Sequence, residues 1–523
     1  MGMLAALVAA LTVGAGAAEA NASVNVTLRN NTKSYNGTTL GMGGTVVPFG
    51  YHSSWLMRDF SDDDLAALIT KFKKTGSTVV RLWIDGAWWE PANDNNDPDV
   101  MNDAGFTWNS TEMNSLYKYL QAFKDAGVDA YICVMSDDPT FTYPWLIAAP
   151  LLGTGPNAGK IDEYAEHVAA VVKHLADNGY SNVKYVSFSG EPNNFFFTPA
   201  GVSRIEHYKE TMTAVHDRLA SENLLSQVKL IGPDISYADT DTVEWMNDLA
   251  ANIPSSLDAY SIHSGQSKPD AVSGAYFELI SNLIDNVRAL DPNGADKPFM
   301  VTDYTPTGTV RRAEDGLNAV ALIANGLRAG ASEFGRWSFA EDIWTWPFLA
   351  NQTSTSFGDY GYGIVGSKQE NYTPKPVYQA TALLYKFVPK GSTTYKAETS
   401  NEAVIPAIVK TAGGKHTIVV VNWSDSAADV TFSLEAPLNT TFNKYRFSAA
   451  STNLVDKFGE IPGSIGTKAV NGTSFTDTIP ANTVYYYTDL SDSAAPGQVA
   501  GLSASSPNFK KAALTWTARS EAD

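Results

Sequence analysis

Residues 184–221 read KYVSFSGEPNNFFFTPAGVSRIEHYKETMTAVHDRLAS, and this stretch holds one complete strand–loop–helix unit. After Lys184, the next five residues are β-branched, aromatic or small, which is typical of a buried strand of a parallel sheet. A helix is predicted over 203–221, because Ser203 is followed three residues later by Glu206 in a capping-box pattern. The loop between the two elements begins with Gly-Glu-Pro-Asn.

The same unit recurs along the chain. Strands are predicted at 40–45, 79–84, 128–135, 184–189, 229–232, 259–263, 299–303 and 333–338, and intervening helices at 62–74, 112–126, 162–177, 203–221 and 312–329. Strands that alternate with helices in this way imply parallel pairing with right-handed crossovers, and eight strands are the number that closes a (β/α)8 TIM barrel. An open doubly wound sheet is the alternative, but Gly41-Met42-Gly43-Gly44 is a poor phosphate-binding turn.

The pattern changes after residue 390. Short alternating runs at 404–409, 416–421, 429–434, 441–447 and 484–488 predict a C-terminal antiparallel β-sandwich over 390–490. The predicted α/β barrel takes residues 21–389, although 21–38, with a strand at 24–29, is a candidate addition to the sandwich. A linker at 491–496 leads to residues 497–523, which look like the opening strands of a truncated fibronectin type III module.

Composition limits the classes of function. The formal charge of −19 repels phosphate backbones and anionic lipid, so neither nucleic acid nor a membrane is an expected partner. The apolar run in residues 1–20, which ends in Ala18-Glu19-Ala20, is typical of a signal peptide, so we expect a secreted protein. Cys133, the single cysteine, is expected to be a small buried residue. The loop 93–103 (NDNNDPDVMND) is interpreted as a solvated acidic loop, with a calcium site as the alternative, because it lacks the EF-hand spacing.

The ends of the predicted strands carry the chemistry, because catalytic groups of such barrels lie at the carboxyl ends of the strands. The fourth strand ends in Ser189-Gly190-Glu191-Pro192-Asn193, and the seventh ends in Val301-Thr302-Asp303-Tyr304. Two carboxylates that face each other across a barrel opening are what cleavage of a glycosidic bond requires. The acid has to hold a proton near neutral pH, which burial and neighbouring negative charge favour.

These strand ends resemble those of clan A glycoside hydrolases, nearest to the family 39 and family 30 types with a C-terminal β-sandwich. The resemblance spans about residues 40–490, and its most specific part is the Glu-Pro-Asn after the fourth strand. It implies that Glu191 is the general acid/base and Asp303 the nucleophile. It further implies helper roles for Arg81 on the second strand and His263 on the sixth.

The remaining candidate residues would contact substrate. Tyr304 is expected to orient the nucleophile, and Trp337 on the eighth strand matches the tryptophan under the sugar that is cleaved. Asn193, Trp88 and Trp344 are candidate subsite residues, since sugar faces stack on aromatic rings. The alternative for such aromatic residues is packing of long loops. Glu341, after the eighth strand, is a candidate to assist or replace Asp303.

Three positions depart from the clan pattern. Gly190 stands where an Asn usually holds the sugar 2-hydroxyl, Gly265 stands where a Tyr often follows the histidine, and Asp303 replaces a Glu. An Asp is one methylene shorter, so its carboxylate lies roughly 1–1.5 Å further back. The predicted function is therefore a cofactor-independent, retaining glycosidase that acts on carbohydrate, with no metal. An inverting enzyme, a non-catalytic carbohydrate-binding barrel and an enzyme of another class remain alternatives.

Overall fold

The structure is a computed structural model that describes residues 21–48, 50–51, 60–134, 161–195, 201–236, 241–306, 313–341, 362–450, 459–490, 503–508 and 511–515. The predicted signal peptide (1–20), the linker (491–496) and Trp344 lie outside the described residues. No helix within the described part of the chain is long and apolar enough to cross a membrane.

Eight parallel strands close into a barrel, which confirms the predicted fold class. After β1 (Ala22–Thr38), which belongs to a second sheet, the barrel strands are β2 (Gly41–Val46), β3 (Val79–Ile84), β4 (Asp129–Val134), β5 (Val183–Phe188), β6 (Lys229–Ser236), β7 (Ala259–Gln266), β8 (Phe299–Pro306) and β9 (Glu333–Arg336). The barrel closes where β9 pairs with β2, with Gly41 opposite Glu333.

Helices follow each barrel strand and cover the outside of the barrel. They are α1 (Asp62–Lys74), α2 (Thr111–Asp125), α3 (Ile161–Asp177), α4 (Pro192–Phe195), α5 (Arg204–Ser221), α6 (Thr242–Asn252), α7 (Lys268–Ser273), α8 (Ala275–Leu290), α9 (Ala313–Ala329) and α10 (Pro376–Phe387). Short 3-10 turns occur at Gly86–Trp88, Leu224–Ser226, Pro254–Ser256 and Lys368–Glu370. A capping box at Ser61 opens α1, whereas Ser203, the predicted cap of α5, makes no side-chain cap bond.

The boundaries of β3 and α1 agree with the prediction, but β6, β7 and β8 run three or four residues further. Backbone pairing of β7 with β8 continues to Gln266 opposite Pro306. These extra residues lie at the carboxyl ends of the strands, where the site is built. The predicted ends of these three strands were therefore three or four residues too early.

The glycine run of β2 serves close strand packing. A Cβ placed on Gly43 would lie 1.7 Å from the carbonyl oxygen of Val79 on β3, and one on Gly44 would lie 3.0 Å from that of Arg336. No other residue fits at Gly43 without moving backbone. Close packing of β2 against its neighbours therefore accounts for these glycines, which the sequence analysis interpreted as a poor phosphate-binding turn.

The largest core lies between the barrel and its helices, and a smaller cluster fills the barrel interior. The interior cluster consists of Tyr131, Cys133, Ile231, Ala259 and Met300. Cys133 is fully buried there, as its expected structural role requires. The interior is thus a packed core that carries the polar groups above it.

The second sheet has seven strands in the order β1-β10-β11-β12-β15-β13-β14, formed by β10 (Thr393–Thr399), β11 (Val404–Lys410), β12 (His416–Asn422), β13 (Ala428–Ser448), β14 (Gly466–Ile479) and β15 (Thr483–Thr488). The runs predicted as separate strands at 429–434 and 441–447 are one strand, β13, with a register shift between Ser433 and Leu438. Its first half pairs in parallel with β1 and its second half pairs with β15. One bent strand thus links both parts of the sheet, which is antiparallel apart from the β1–β13 pairing.

A separate two-stranded antiparallel hairpin is formed by β16 (Ser503–Asn508) and β17 (Lys511–Thr515). It falls within the segment predicted to begin a fibronectin type III module. Two strands do not define such a module, so the module stays a prediction.

Candidate active site

Asp303 reaches the barrel interior because β8 is bulged. Ile262 pairs with Val301, but the next residue of β7, His263, pairs with Asp303, so Thr302 is an extra residue in the ladder. In a regular strand Thr302 and Asp303 would face opposite sides. The bulge turns both inward, and the Asp303 carboxylate accepts a bond from Nη1 of Arg81 at 3.1 Å.

Glu191 follows the end of β5 in a strained backbone conformation. Ser189 and Glu191 have φ values of +67° and +56°, which residues with side chains adopt only when the surroundings hold them there. The amide of Glu191 donates to the carbonyl oxygen of Asp234 at 3.0 Å, which fixes the turn to β6. Its side chain is 31% exposed, so it is accessible to a ligand.

His263 joins the two carboxylates through Arg81. Nη2 of Arg81 donates to Nε2 of His263 at 3.1 Å, and Nδ1 of His263 lies 3.2 Å from Oε1 of Glu191. Because an arginine only donates, Nε2 has to accept, and the ring proton therefore lies on Nδ1 and is donated to Glu191. The chain of contacts Glu191–His263–Arg81–Asp303 connects both predicted catalytic residues.

Asp234 is a further buried carboxylate of the site that the sequence analysis did not identify. It is the extra residue of a bulge in β6 with a φ of +54°, and it is fully buried. Its side chain accepts hydrogen bonds from Tyr131, Ser187 and Thr302 and lies 3.8 Å from Arg81. The missed signal was the acidic residue in Gly-Pro-Asp-Ile-Ser, two residues beyond the predicted end of the fifth strand.

The two predicted catalytic carboxylates differ in pKa. The predicted nucleophile, Asp303, has the higher pKa, whereas the predicted acid, Glu191, was expected to have it. Burial raises the pKa of Asp303 to about 6, and the charges of Glu191 and Asp234 add to this while Arg81 opposes it. Burial also disfavours ionisation of Glu191, but His263, Asn194 and the charge of Arg81 together outweigh it and lower the pKa of Glu191 below its ordinary value. Between these two pKa values the pair therefore holds one proton, and in the ligand-free site that proton resides on Asp303.

Trp337 lies at the end of β9 beside a tryptophan that the sequence analysis did not name. The rings of Trp337 and Trp83 are 4.6 Å apart at an angle of 43°, and the guanidinium of Arg81 lies 5.5 Å from the Trp83 ring. Both tryptophans are half-buried. They form an apolar surface next to the polar groups, a combination that suits stacking of a sugar ring. Alternation from Arg81 along β3 was the signal that could have identified Trp83.

Tyr304 does not contact Asp303. Its hydroxyl lies 2.6 Å from that of Tyr385 on α10, and its buried ring lies 5.5 Å from the guanidinium of Arg336. The bulge at Thr302 explains this, because a residue that turns Asp303 inward turns the next side chain outward. The expectation that Tyr304 orients the nucleophile is therefore corrected.

Asn193 is a positioning residue here. Its side-chain oxygen accepts from the amide of Ser236 at 3.1 Å, and its amide nitrogen donates to Asp241 at 3.1 Å. These bonds tie the turn that carries Glu191 to the end of β6. The polar contact from this turn to Glu191 comes from Asn194 instead, at 3.4 Å. The expectation that Asn193 binds substrate is replaced by a role in holding the turn.

Trp88 and Glu341 also take structural positions. Trp88 is 6% exposed and packs in the main core, so the loop-packing alternative describes it better than a subsite role. Glu341 is buried in an ion pair with Lys375 and accepts from the amide of Gly363 at 3.2 Å. This ion pair favours a structural role for Glu341, and its assistance to Asp303 stays a prediction.

Comparison with known proteins identifies solved structures that share this fold. No protein-family model matches the sequence, and no curated protein matches it significantly. Among solved structures, the catalytic domain of GH30 xylanase C from Talaromyces cellulolyticus aligns with a TM-score of 0.64 at 16% identity, over 89% of this chain and 100% of that one. A GH30 endoxylanase from Clostridium papyrosolvens C71 gives 0.61 at 15% identity, over 89% and 99%.

The GH51 arabinofuranosidase from Xanthomonas axonopodis pv. citri gives a TM-score of 0.58 at 14% identity, over 89% of this chain and 99% of that one. The alignments span nearly the full length of these proteins, so the barrel and the second sheet are shared together. At this identity the likeness establishes the fold, and function has to be argued from the site. The chain has the fold of clan A glycoside hydrolases.

Proposed function

We propose that this protein is a retaining glycosidase that hydrolyses O-glycosidic bonds of plant or microbial polysaccharide outside the cell. The observation that carries the proposal is the hydrogen-bonded chain from Glu191 through His263 and Arg81 to Asp303, at the carboxyl ends of the barrel strands. The activities named for the structural relatives, xylanase and arabinofuranosidase, agree with this substrate class. The signal-like segment at residues 1–20 supports secretion.

The position of each carboxylate suggests its role. Asp303 is 13% exposed and is bound by Arg81, which stabilises a negative charge where a nucleophile has to attack. Glu191 is the more accessible carboxylate, at 31% exposed, which suits transfer of a proton to the departing sugar oxygen. The reactive form carries the single proton of the pair on Glu191 and leaves Asp303 ionised. Substrate that excludes water from Glu191 favours this form, because desolvation raises the pKa of a carboxyl group.

In the proposed reaction Asp303 attacks the anomeric carbon while Glu191 protonates the leaving oxygen. Once Asp303 is esterified, its negative charge is gone, which lowers the pKa of Glu191 further. Glu191 then removes a proton from water, and the water oxygen displaces Asp303 from the sugar. The low pKa of Glu191 in the ligand-free site suits this second, basic role.

The experiment is a hydrolysis screen on a panel of plant and microbial polysaccharides, with wild type, Glu191→Gln and Asp303→Asn. We expect wild type to release sugar and each variant to lose about 10²–10⁴-fold in kcat. Glu278→Gln, which changes an exposed residue of α8, is the matched control and should retain full activity. Binding of oligosaccharide with no turnover by wild type would instead identify a non-catalytic binding barrel.

A further inference from the structure

A second acidic cluster lies away from the candidate active site, on the loop after β3. Asp94, from this loop, meets Glu163 and Glu166, which are three residues apart on α3. One carboxylate oxygen from each lies within 4.8 Å of the others. The two glutamates are each only 2% exposed, which is rare for carboxylates.

Two oxygens of this cluster are buried with no hydrogen-bond partner among the described residues. They are Oε1 of Glu166 and Oδ1 of Asp94. The guanidinium of Arg218 lies 3.8 Å from Glu166, beyond hydrogen-bond distance, and it also contacts Glu222 at 3.3 Å. Buried carboxylate oxygens in native proteins are normally paired or bound to metal, so these two point to a missing cationic ligand.

The loop is already fastened to α3 beside the cluster. Glu90 accepts from the amide of Asp94 at 3.2 Å with one oxygen, and its other oxygen lies 2.7 Å from Nδ1 of His167 on α3.

We propose that Asp94, Glu163 and Glu166 bind a divalent cation, with calcium the best fit. Calcium binds oxygen ligands at about 2.3–2.6 Å, so one ion spans oxygens up to about 4.6–5.2 Å apart, whereas magnesium spans only about 4.0–4.2 Å. The donors are all oxygens, which suits a hard cation. The bound ion fastens the loop after β3 to the first turns of α3.

The test is titration of the full-length protein with CaCl2 after treatment with a chelator, followed by calorimetry and thermal unfolding. Wild type should bind calcium, and its Tm should rise by about 3 °C at a hundred times the Kd. The variants Glu166→Gln and Asp94→Asn/Glu166→Gln should lose at least tenfold in affinity and most of the Tm shift. Both remain foldable, because they remove repulsion between buried negative charges.

Asp99→Asn, in the exposed part of the same acidic loop, is the matched control and should respond to calcium as wild type does. MgCl2 should bind more weakly than CaCl2. The proposal is overturned if wild type shows no calcium binding, or if the cluster variants and the Asp99 control respond equally. Because the readout is ion binding, the result is independent of glycosidase activity.

Discussion

Replacing His263 with phenylalanine removes the hydrogen bond that lowers the pKa of Glu191. The phenylalanine ring fills the space of the imidazole at the end of β7. It has no nitrogen to replace Nδ1, which donates to Oε1 of Glu191 across 3.2 Å in the wild type. Burial of Glu191, which opposes its ionisation, is then balanced only by weaker contacts such as the one from Asn194 at 3.4 Å. The pKa of Glu191 should therefore rise.

The magnitude follows from the strength of a hydrogen bond to a charged group, about 1.5–3 kcal/mol. One pH unit corresponds to about 1.4 kcal/mol, so the bond shifts the pKa by about 1–2 units. Because 31% of the Glu191 side chain is exposed to solvent, the lower value of about 1 unit applies. Loss of the bond from Arg81 to Nε2 also leaves a buried donor, at a cost of about 1–3 kcal/mol in stability.

The assay is the pH dependence of kcat/KM for wild type and His263→Phe, together with a carbon-13 titration of the Glu191 carboxyl group. In wild type the rate rises on the acid side as the pair loses its first proton, mainly from Glu191. In the variant the acid limb of kcat/KM should lie about 1 pH unit higher. The midpoint of the carbon-13 titration of Glu191 should move by the same amount. Thermal unfolding verifies that the variant is folded. His216→Phe is the control, because His216 is partly exposed and bonded to Asp217.

An unchanged or lower titration midpoint for Glu191 in the folded variant would refute the reasoning. It would mean that His263 does not donate to Glu191, and that the chain between the two carboxylates is not formed in solution. A shift of the carboxyl signal without a shift of the acid limb would mean that Glu191 does not take part in the reaction.

Further predictions concern the other carboxylates and Tyr304. Because the pair loses its last proton near the pKa of Asp303, about 6, kcat/KM should fall as the pH rises above about 6, as a pH–rate profile measures. Glu341→Gln removes the charge that pairs with the buried Lys375, so chemical unfolding should show a loss of about 3–5 kcal/mol while kcat of the folded enzyme is unchanged. Tyr304→Phe removes a bond to Tyr385 only, so stability should fall by about 1 kcal/mol with kcat and the pH profile intact; a shifted profile would restore its predicted role.

The barrel was predictable because its signals are local and repeated. Alternation of apolar strands with amphipathic helices located all eight strands, and the bounds of α1 were predicted correctly. Gly-Glu-Pro-Asn and Val-Thr-Asp-Tyr at strand ends identified Glu191 and Asp303 as the residues of interest. These features depend on neighbours in the chain, which a sequence displays directly.

The parts of the site that were missed depend on contacts between strands. The bulges at Asp234 and Thr302 shift the alternation of side chains, so the residues that follow face the opposite side of the strand from the one expected. A bulge shows only in the pairing between strands, which the sequence does not display. For the same reason Tyr304 was assigned to the site although it faces α10. The order of the two pKa values depends on His263, which comes from a strand distant in sequence from Glu191.

The central claim is that the side chains at 191 and 303 cleave a glycosidic bond together, with Asp303 as nucleophile. Its most direct test is proton NMR of the first sugar released by wild type from a substrate of defined anomeric configuration. We predict that the product initially has the configuration of the substrate, since two successive displacements at the anomeric carbon retain it. Initial release of the opposite anomer would contradict attack by Asp303 and assign it instead to activation of water.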